Sequence, residues 1–147
     1  MVAAMKTAAN ILEQKGPEIW SVSPSDSVYE ALQLMAAKGI GAVVVMDGAS
    51  LVGILSERDY ARKVILADRS SKETQVEEIM TSRVVVVSPE HTSEDCMALM
   101  TDKRIRHLPV VDGDQVIGLI SIGDVVRATI SEKEFIIDQL ERYIAGT

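Results

Sequence analysis

The sequence contains an internal repeat, which limits the chain to an architecture built from two similar units. Displacing the sequence by 65 residues aligns residues 23–62 with residues 88–127 without a gap, and 13 of the 40 aligned positions are identical. The identical positions include the pairs Gly53/Gly118, Ser56/Ser121 and Asp59/Asp124. The chain is therefore expected to fold as two related units joined by the polar segment 69–74.

Each copy predicts the same order of elements, which is strand, helix, strand, strand, helix. An extended stretch, residues 20–22 or 84–87, ends in Ser-Pro, which favours leaving a strand. A helix follows, and then two apolar runs flank an Asp-Gly turn, a pattern typical of a β-hairpin. The paired runs are 42–46 with 51–55 and 108–111 with 116–120. A serine after each hairpin, Ser56 or Ser121, predicts the start of another helix.

The predicted fold class is α/β, with two βαββα repeats packed about a pseudo-two-fold axis. Each copy has about 50 residues, which is too few to bury a comfortable core alone, so the two are expected to share one. The predicted division is a helix over 1–16, a first repeat over 17–75, a second over 76–131 and a C-terminal helix over 132–147.

Composition excludes several classes of protein. The formal net charge of −7 argues against non-specific nucleic-acid binding, which depends on a basic surface. Because Cys96 is the only cysteine, neither a disulfide framework nor a thiolate metal site is expected, and Cys96 itself is interpreted as a core residue. No apolar run approaches the length of a membrane span, and residues 1–16 lack the apolar run of a secretory signal. A cytoplasmic location is the expectation.

The familiar catalytic patterns are absent from the sequence. Gly48 and Gly53 have P-loop spacing, but Ile54 stands where that loop requires lysine. The two histidines, His91 and His107, have no partner at metal-ligand spacing, and no G-x-S-x-G segment occurs. We therefore expect no enzyme activity, no catalytic residues and no metal site.

One motif recurs in both copies where the hairpin meets the next helix, and it has the form Gly-x-x-Ser-x-x-Asp. It reads GILSERD in the first copy and GLISIGD in the second. Backbone N–H groups and a serine hydroxyl suit phosphate or ribose oxygens, and the aspartate can accept both ribose hydroxyls. The alternative is a capping box that only stabilises the helix. Its recurrence in both copies favours a binding site.

With these residues the sequence resembles a tandem pair of CBS (cystathionine β-synthase) domains, a Bateman module, from residue 19 to residue 130. The SERDYARKV and KRIRHLPVV segments are similar to stand-alone two-repeat proteins of bacteria and plant organelles. The resemblance implies a non-catalytic regulatory sensor of AMP, ADP, ATP, NAD(H) or S-adenosylmethionine. It also implies a flat, disc-like homodimer that acts on a partner protein.

The resemblance also implies site residues. Asp59 and Asp124 match the ribose-binding aspartate, and Ser56 and Ser121 match its hydroxyl position. Glu57 and Arg58 follow the first serine. The positions that match the walls around adenine are Gly41, Ala42, Val43, Arg106, His107, Leu108 and Pro109.

The two copies are unequal at these positions. If each site combines both repeats, as the resemblance implies, Asp59 shares a cleft with three basic groups for phosphate, Arg58, Arg106 and His107. The cleft of Asp124 is poorer in charge, and an adenosine-like ligand, the far end of a dinucleotide or no ligand all stay open there. The alternative to nucleotide sensing is a ligand-free structural dimer that serves as a protein-interaction module.

Overall fold

The computed structural model describes residues 5–145, which form two small sheets surrounded by helices. The elements, in chain order, are α1 (Ala8–Lys15), β1 (Ser21–Val22), α2 (Val28–Lys38), β2 (Ala42–Asp47), β3 (Ser50–Ser56), α3 (Glu57–Tyr60) continued by a π-helical turn (Ala61–Ile65), α4 (Val76–Ile79), α5 (Ser93–Lys103), β4 (His107–Asp112), β5 (Gln115–Ser121) and α6 (Ile122–Ala145). The predicted α/β class and paired repeats are confirmed. The expectation of one shared core is wrong, because the buried hydrophobic residues form two clusters, one for each repeat.

The two repeats build their sheets alike. In the first repeat β1 pairs in parallel with β2, and β2 pairs antiparallel with β3. In the second repeat β4 pairs antiparallel with β5. The extended stretch predicted at 84–87 contributes only one parallel bridge, from Val87 to Val110. Val87 is buried and Val86 is 41% exposed, so only the last residue of this stretch is held in the sheet.

Helices α2 and α5 are equivalent elements that begin with the same local chemistry. Ser27 and Thr92 accept a hydrogen bond from the backbone of the third helical residue, whose side chain accepts one in return. This reciprocal arrangement is a capping box, which satisfies two helix N–H groups that would otherwise lack partners. Each helix buries one apolar stripe, which includes Met35 in the first repeat and Met100 in the second. Burial raises the pKa of the Cys96 thiol on α5 to about 11, which fits the expected core role.

The short helices are exchanged between the repeats. Helix α1 precedes the first repeat, yet its Ala8 and Ile11 belong to the core of the second repeat. Helix α4 begins the second repeat, yet its Val76 and Ile79 belong to the first core. Each of these two helices, or the residue directly after it, packs closely against a glycine of the repeated motif, where a side chain would leave no room. A Cβ added to Gly118 would lie 2.5 Å from Leu12, and one added to Gly53 would lie 2.5 Å from Met80.

Helix α6 is one continuous helix from Ile122 to Ala145, and it joins the helix predicted after Ser121 to the helix predicted over 132–147. Its buried Glu132 accepts hydrogen bonds from the Lys6 backbone N–H and from the Ser93 hydroxyl at 2.6 Å, which ties α6 to the starts of α1 and α5. Residues 1–4 and 146–147 of the predicted terminal helices lie outside the described residues. Within residues 5–145, no helix has the length and apolar character needed to cross a membrane.

Candidate functional site

A cleft of about 270 Å³ lies between the two repeats and contains Asp59. We call it the Asp59 cleft. The first repeat supplies the end of β3 and the start of α3, and the second supplies residues 81–85, which follow α4, and the turn between α5 and β4. The lining residues are Gly41, Ile54, Ser56, Glu57, Arg58, Asp59, Arg62, Thr81, Arg83, Val84, Val85, Arg104, Ile105, Arg106 and His107.

Asp59 is held by a capping box at the start of α3. Its Oδ2 accepts hydrogen bonds from the Ser56 backbone N–H at 3.0 Å and from the Ser56 hydroxyl at 3.1 Å. Its Oδ1 has longer contacts, 3.3 Å to the Lys63 ammonium and 3.4 Å to the Thr81 hydroxyl. The capping role that the sequence left as an alternative is therefore present. It leaves Oδ1 more weakly engaged than Oδ2, so this oxygen can accept further hydrogen bonds.

The walls of the Asp59 cleft combine apolar and cationic side chains. Ile54, Val84, Val85 and Ile105 supply an aliphatic surface. Five arginines surround it, namely Arg58, Arg62, Arg83, Arg104 and Arg106, against the two carboxylates of Glu57 and Asp59. The Arg58 guanidinium reaches across the boundary between the repeats and donates to the Arg104 carbonyl at 3.4 Å. An apolar slot with cationic groups around it suits a flat, anionic molecule.

His107 lines the Asp59 cleft as predicted, but it does not supply the expected positive charge. Burial lowers the pKa of His107 to about 4; the positive charges of Lys15 and Arg106 reinforce this, and the negative charge of Asp124 opposes it. The imidazole is therefore neutral at neutral pH. Of the three groups expected to be basic, the two arginines, Arg58 and Arg106, remain, and His107 is a neutral side chain that can still donate one hydrogen bond.

A second cleft of about 290 Å³ contains Asp124. We call it the Asp124 cleft. It is the counterpart of the first, because Leu119, Ser121 and Asp124 stand 65 positions after Ile54, Ser56 and Asp59. Its lining residues are Lys15, Glu18, Ile19, Trp20, Gly39, Ile40, Gly41, Ala42, His107, Leu119, Ser121, Asp124 and Arg127.

Both carboxylate oxygens of Asp124 are occupied by cations of the chain. The Lys15 ammonium lies 2.8 Å from Oδ2 and also donates to the Leu119 carbonyl at 2.7 Å. The Arg127 guanidinium lies 2.7 Å from Oδ1. Burial is the largest influence and raises the pKa of Asp124, but the hydrogen bonds from Lys15 and Ser121 together hold that pKa below its usual value. The carboxylate is therefore charged and already paired.

The structure brings most of the predicted site residues to the two clefts. Gly41, Ser56, Glu57, Arg58, Asp59, Arg106 and His107 line the Asp59 cleft, and Gly41, Ala42, His107, Ser121 and Asp124 line the Asp124 cleft. Three predicted wall residues, Val43, Leu108 and Pro109, are buried and line neither of these clefts. Val43 and Leu108 belong to the two hydrophobic cores instead, because they lie inside the hairpins rather than at their ends.

Several lining residues were not singled out from the sequence. Thr81, Arg83, Val84 and Val85 come from the segment that follows α4, and Lys15 comes from α1. Thr81 and Lys15 lie outside the aligned 40 positions, so the repeat gave no signal for them. Arg62 aligns with Arg127 in the repeat, and this identity was the one sequence signal that could have indicated a role for Arg62 in the clefts.

Comparison with known proteins identifies the family. The sequence pattern of the CBS domain matches residues 9–66 and residues 76–131. The chain belongs to the CBS domain family. It carries two CBS domains in tandem, and the resemblance stated from the sequence is confirmed.

Relatives of this CBS-domain pair include other CBS domain-containing proteins. It is 41% identical to the mitochondrial CBS domain-containing protein CBSX3 of Arabidopsis thaliana, over 95% of this chain and 72% of that protein. It is 52% identical to the CBS domain structure NE2398, with a TM-score of 0.82 over 86% of this chain and 98% of that chain. The CBS domain protein PAE2072 of Pyrobaculum aerophilum, solved with AMP, is 22% identical with a TM-score of 0.72 over 80% and 88% of the two chains.

Proposed function

We propose that this CBS-domain pair is a non-catalytic regulatory module that binds an adenine nucleotide, AMP, ADP, ATP or NAD(H), in the Asp59 cleft. Such binding would serve energy or redox sensing in the cytoplasm and would act on a partner protein. The observation that carries the proposal is the meeting of Asp59, an aliphatic slot and unpaired arginines in one cleft of about 270 Å³. The AMP complex of a structural relative supports the choice of ligand class.

Each part of the cleft has a chemical task in this proposal. The aliphatic side chains of Ile54, Val85 and Ile105 cover the faces of adenine by apolar contact. Asp59 Oδ1 accepts hydrogen bonds from the ribose hydroxyls, which are charge-assisted and stronger than neutral ones. Arg58 and Arg106 contact the phosphate through the planar, two-pronged donor geometry of the guanidinium.

The direct test is ligand-induced stabilisation measured by thermal melting. A nucleotide at about 100 times its dissociation constant adds roughly 2.7 kcal/mol to the free energy of unfolding. For a chain of this size that is about 5–10 °C in Tm. We expect this shift with an adenine nucleotide and a much smaller one with GMP. A Tm unchanged by millimolar AMP, ADP, ATP and NAD would exclude the proposal.

The second candidate function is a ligand-free structural dimer, and the exposed apolar face of α6 favours a dimer in either case. Val126, Ile130, Ile137 and Leu140 are each more than 40% exposed on this helix. An exposed apolar face of this kind, although Lys133 interrupts it, marks an interaction surface, and a second copy of the chain is the proposed occupant. The disc-like arrangement of the dimer belongs to this proposal.

One measurement tests the dimer, and a second one distinguishes the two functions. Light scattering should give twice the 16.0 kDa of one chain, and the double variant Ile137→Lys with Leu140→Lys should reduce it to one. A mass of one chain for the wild-type protein would exclude the proposed dimer. The ratio of ultraviolet absorbance at 260 and 280 nm of freshly purified protein shows whether a nucleotide co-purifies with it. A dimer that carries no nucleotide and whose Tm does not respond to added nucleotide would favour the structural function.

A further inference from the structure

The arginines of this chain fall into two groups by their ion pairs. The chain has eight arginines, and three of them pair with a carboxylate, Arg69 with Glu78, Arg127 with Asp124 and Arg142 with Asp138. The other five all line the Asp59 cleft, and none of them forms an ion pair with any residue in the range 5–145. Unpaired guanidinium groups are thus confined to one place in the molecule.

Such a gathering is unfavourable without an anion. Like charges in one cleft repel one another, and the two carboxylates of the lining cannot neutralise five guanidinium groups. One of the two carboxylates, Asp59, already has Lys63 at 3.3 Å. Arg104 adds a backbone cost, because its φ of 55° lies in the left-handed region, which residues with a Cβ seldom adopt. Gly39 has a φ of 65° at the equivalent position of the first repeat.

The number of charges exceeds what one phosphate requires. A phosphate monoester carries about two negative charges, and Arg58 with Arg106 already matches it. Arg62, Arg83 and Arg104 then have no role in binding AMP. Four of the five arginines, Arg62, Arg83, Arg104 and Arg106, are exposed, and Arg58 is half-buried. Once two guanidinium groups bind one phosphate, the other three remain available for a longer phosphate chain.

We propose that the Asp59 cleft selects adenosine polyphosphates, with ATP bound more tightly than ADP and ADP more tightly than AMP. Arg62, Arg83 and Arg104 are the residues that read the second and third phosphates. The inference rests on the proposed function and adds a ligand preference to it. The Asp124 cleft lacks this capacity, because its arginine, Arg127, is paired with Asp124 and its other cation, Lys15, is paired with the same carboxylate.

Titration calorimetry at fixed ionic strength with AMP, ADP, ATP and inorganic tripolyphosphate tests the proposal. For the wild type we expect ATP to bind at least about tenfold more tightly than AMP, as one additional charge-assisted contact would give. Arg83→Gln, Arg104→Gln and Arg62→Gln should each weaken ATP several-fold and leave AMP within about twofold. Arg142→Gln, which removes a surface ion pair on α6, is the matched control and should change neither.

The outcomes separate this inference from the proposed function. If AMP binds and ATP binds no more tightly, or if the three variants weaken AMP and ATP equally, the polyphosphate preference is wrong and nucleotide binding stands. If tripolyphosphate alone binds as tightly as ATP, the adenosine part of the preference is wrong. If no adenine nucleotide binds at all, the proposed function fails. Thermal melts of each variant verify folding.

Discussion

The Asp59 cleft and the Asp124 cleft have the same origin and nearly the same volume, about 270 and 290 Å³, yet they differ in what their aspartates can do. Both aspartates cap the following helix through a serine. Asp59 retains one weakly engaged oxygen and faces unpaired arginines, whereas Asp124 is neutralised by Lys15 and Arg127. The repeated motif thus gives both clefts the same capping geometry of serine and aspartate, but it does not leave both aspartates equally able to accept hydrogen bonds from a ligand.

The difference arises outside the repeated motif. Arg62 and Arg127 occupy equivalent positions in the two repeats. Arg127 forms an ion pair with Asp124, whereas Arg62 forms none with Asp59. The decisive cation of the Asp124 cleft, Lys15, comes from α1, which precedes the first repeat and packs on the second. The corresponding helix α4 brings Thr81, a neutral side chain, beside Asp59. The exchanged helices therefore decide which aspartate remains available.

The largest expected effect separates the two aspartates directly. Asp59→Ala should weaken AMP by about 10- to 150-fold, because charge-assisted hydrogen bonds of about 1.5–3 kcal/mol to the ribose are lost. Asp124→Ala should change AMP affinity less than tenfold, since its oxygens are already paired. Asp95→Ala removes the same kind of capping acid from α5, away from both clefts, and controls for loss of the cap. Equal losses from Asp59→Ala and Asp124→Ala in calorimetry would abolish the distinction between the clefts.

The next effect concerns His107, which lines both clefts. Its pKa is about 4 in the folded chain, while an unfolded histidine titrates near about 6.5, so below that pH the unfolded state binds more protons. The free energy of unfolding should therefore fall by about 2.5 kcal/mol as the pH is lowered from about 6.5 to 4. Urea unfolding of wild type and His107→Gln measures this, and the variant should lose that part of the slope. Parallel slopes would mean that His107 is protonated in the folded chain.

Lys15→Met should make the Asp124 cleft resemble its counterpart. Removal of the ammonium frees the Leu119 carbonyl and leaves Asp124 Oδ2 with only the hydrogen bond from the Ser121 N–H. It also raises the pKa of Asp124, because burial then has less opposition. We expect about a tenfold gain in adenosine affinity for this cleft. Trp20, the only tryptophan in the chain, lines the Asp124 cleft, so its fluorescence reports binding there. Lys6→Met is the control, and a wild-type Trp20 signal that already saturates with adenosine would contradict the prediction.

The smallest effect compares the turns that precede β2 and β4. Arg104→Gly should raise the free energy of unfolding by about 1 kcal/mol, since glycine adopts the left-handed conformation without a Cβ penalty. Gly39→Ala, the reverse change in the first repeat, should lower it by about the same amount. Urea unfolding measures both. A destabilised Arg104→Gly protein would show that the Arg104 side chain supports the fold as well as the cleft.

Much of the fold was predictable because its signals are local or repeated. The hairpins follow from Asp-Gly between apolar runs, and the gapless 65-residue offset predicted two equivalent units. The helix predicted over 132–147 was joined to the preceding one in the structure, since no residue between Ser121 and Glu132 interrupts a helix. The reduction of the stretch at 84–87 to one bridge was not predictable, because four consecutive valines specify a strand as readily as a cleft wall.

The sequence by itself determined the paired architecture and the Ser and Asp of each cleft, whereas the gathering of five arginines around Asp59 was decided by the fold. Only the tertiary structure decided which side chains meet. Lys15 and Asp124 are 109 residues apart, and no periodicity predicts an ion pair across that separation. The neutral state of His107 likewise depends on burial and on Lys15 and Arg106 around it. Local residue patterns specify backbone geometry, whereas charge state and pairing depend on neighbours that the fold brings from distant parts of the chain.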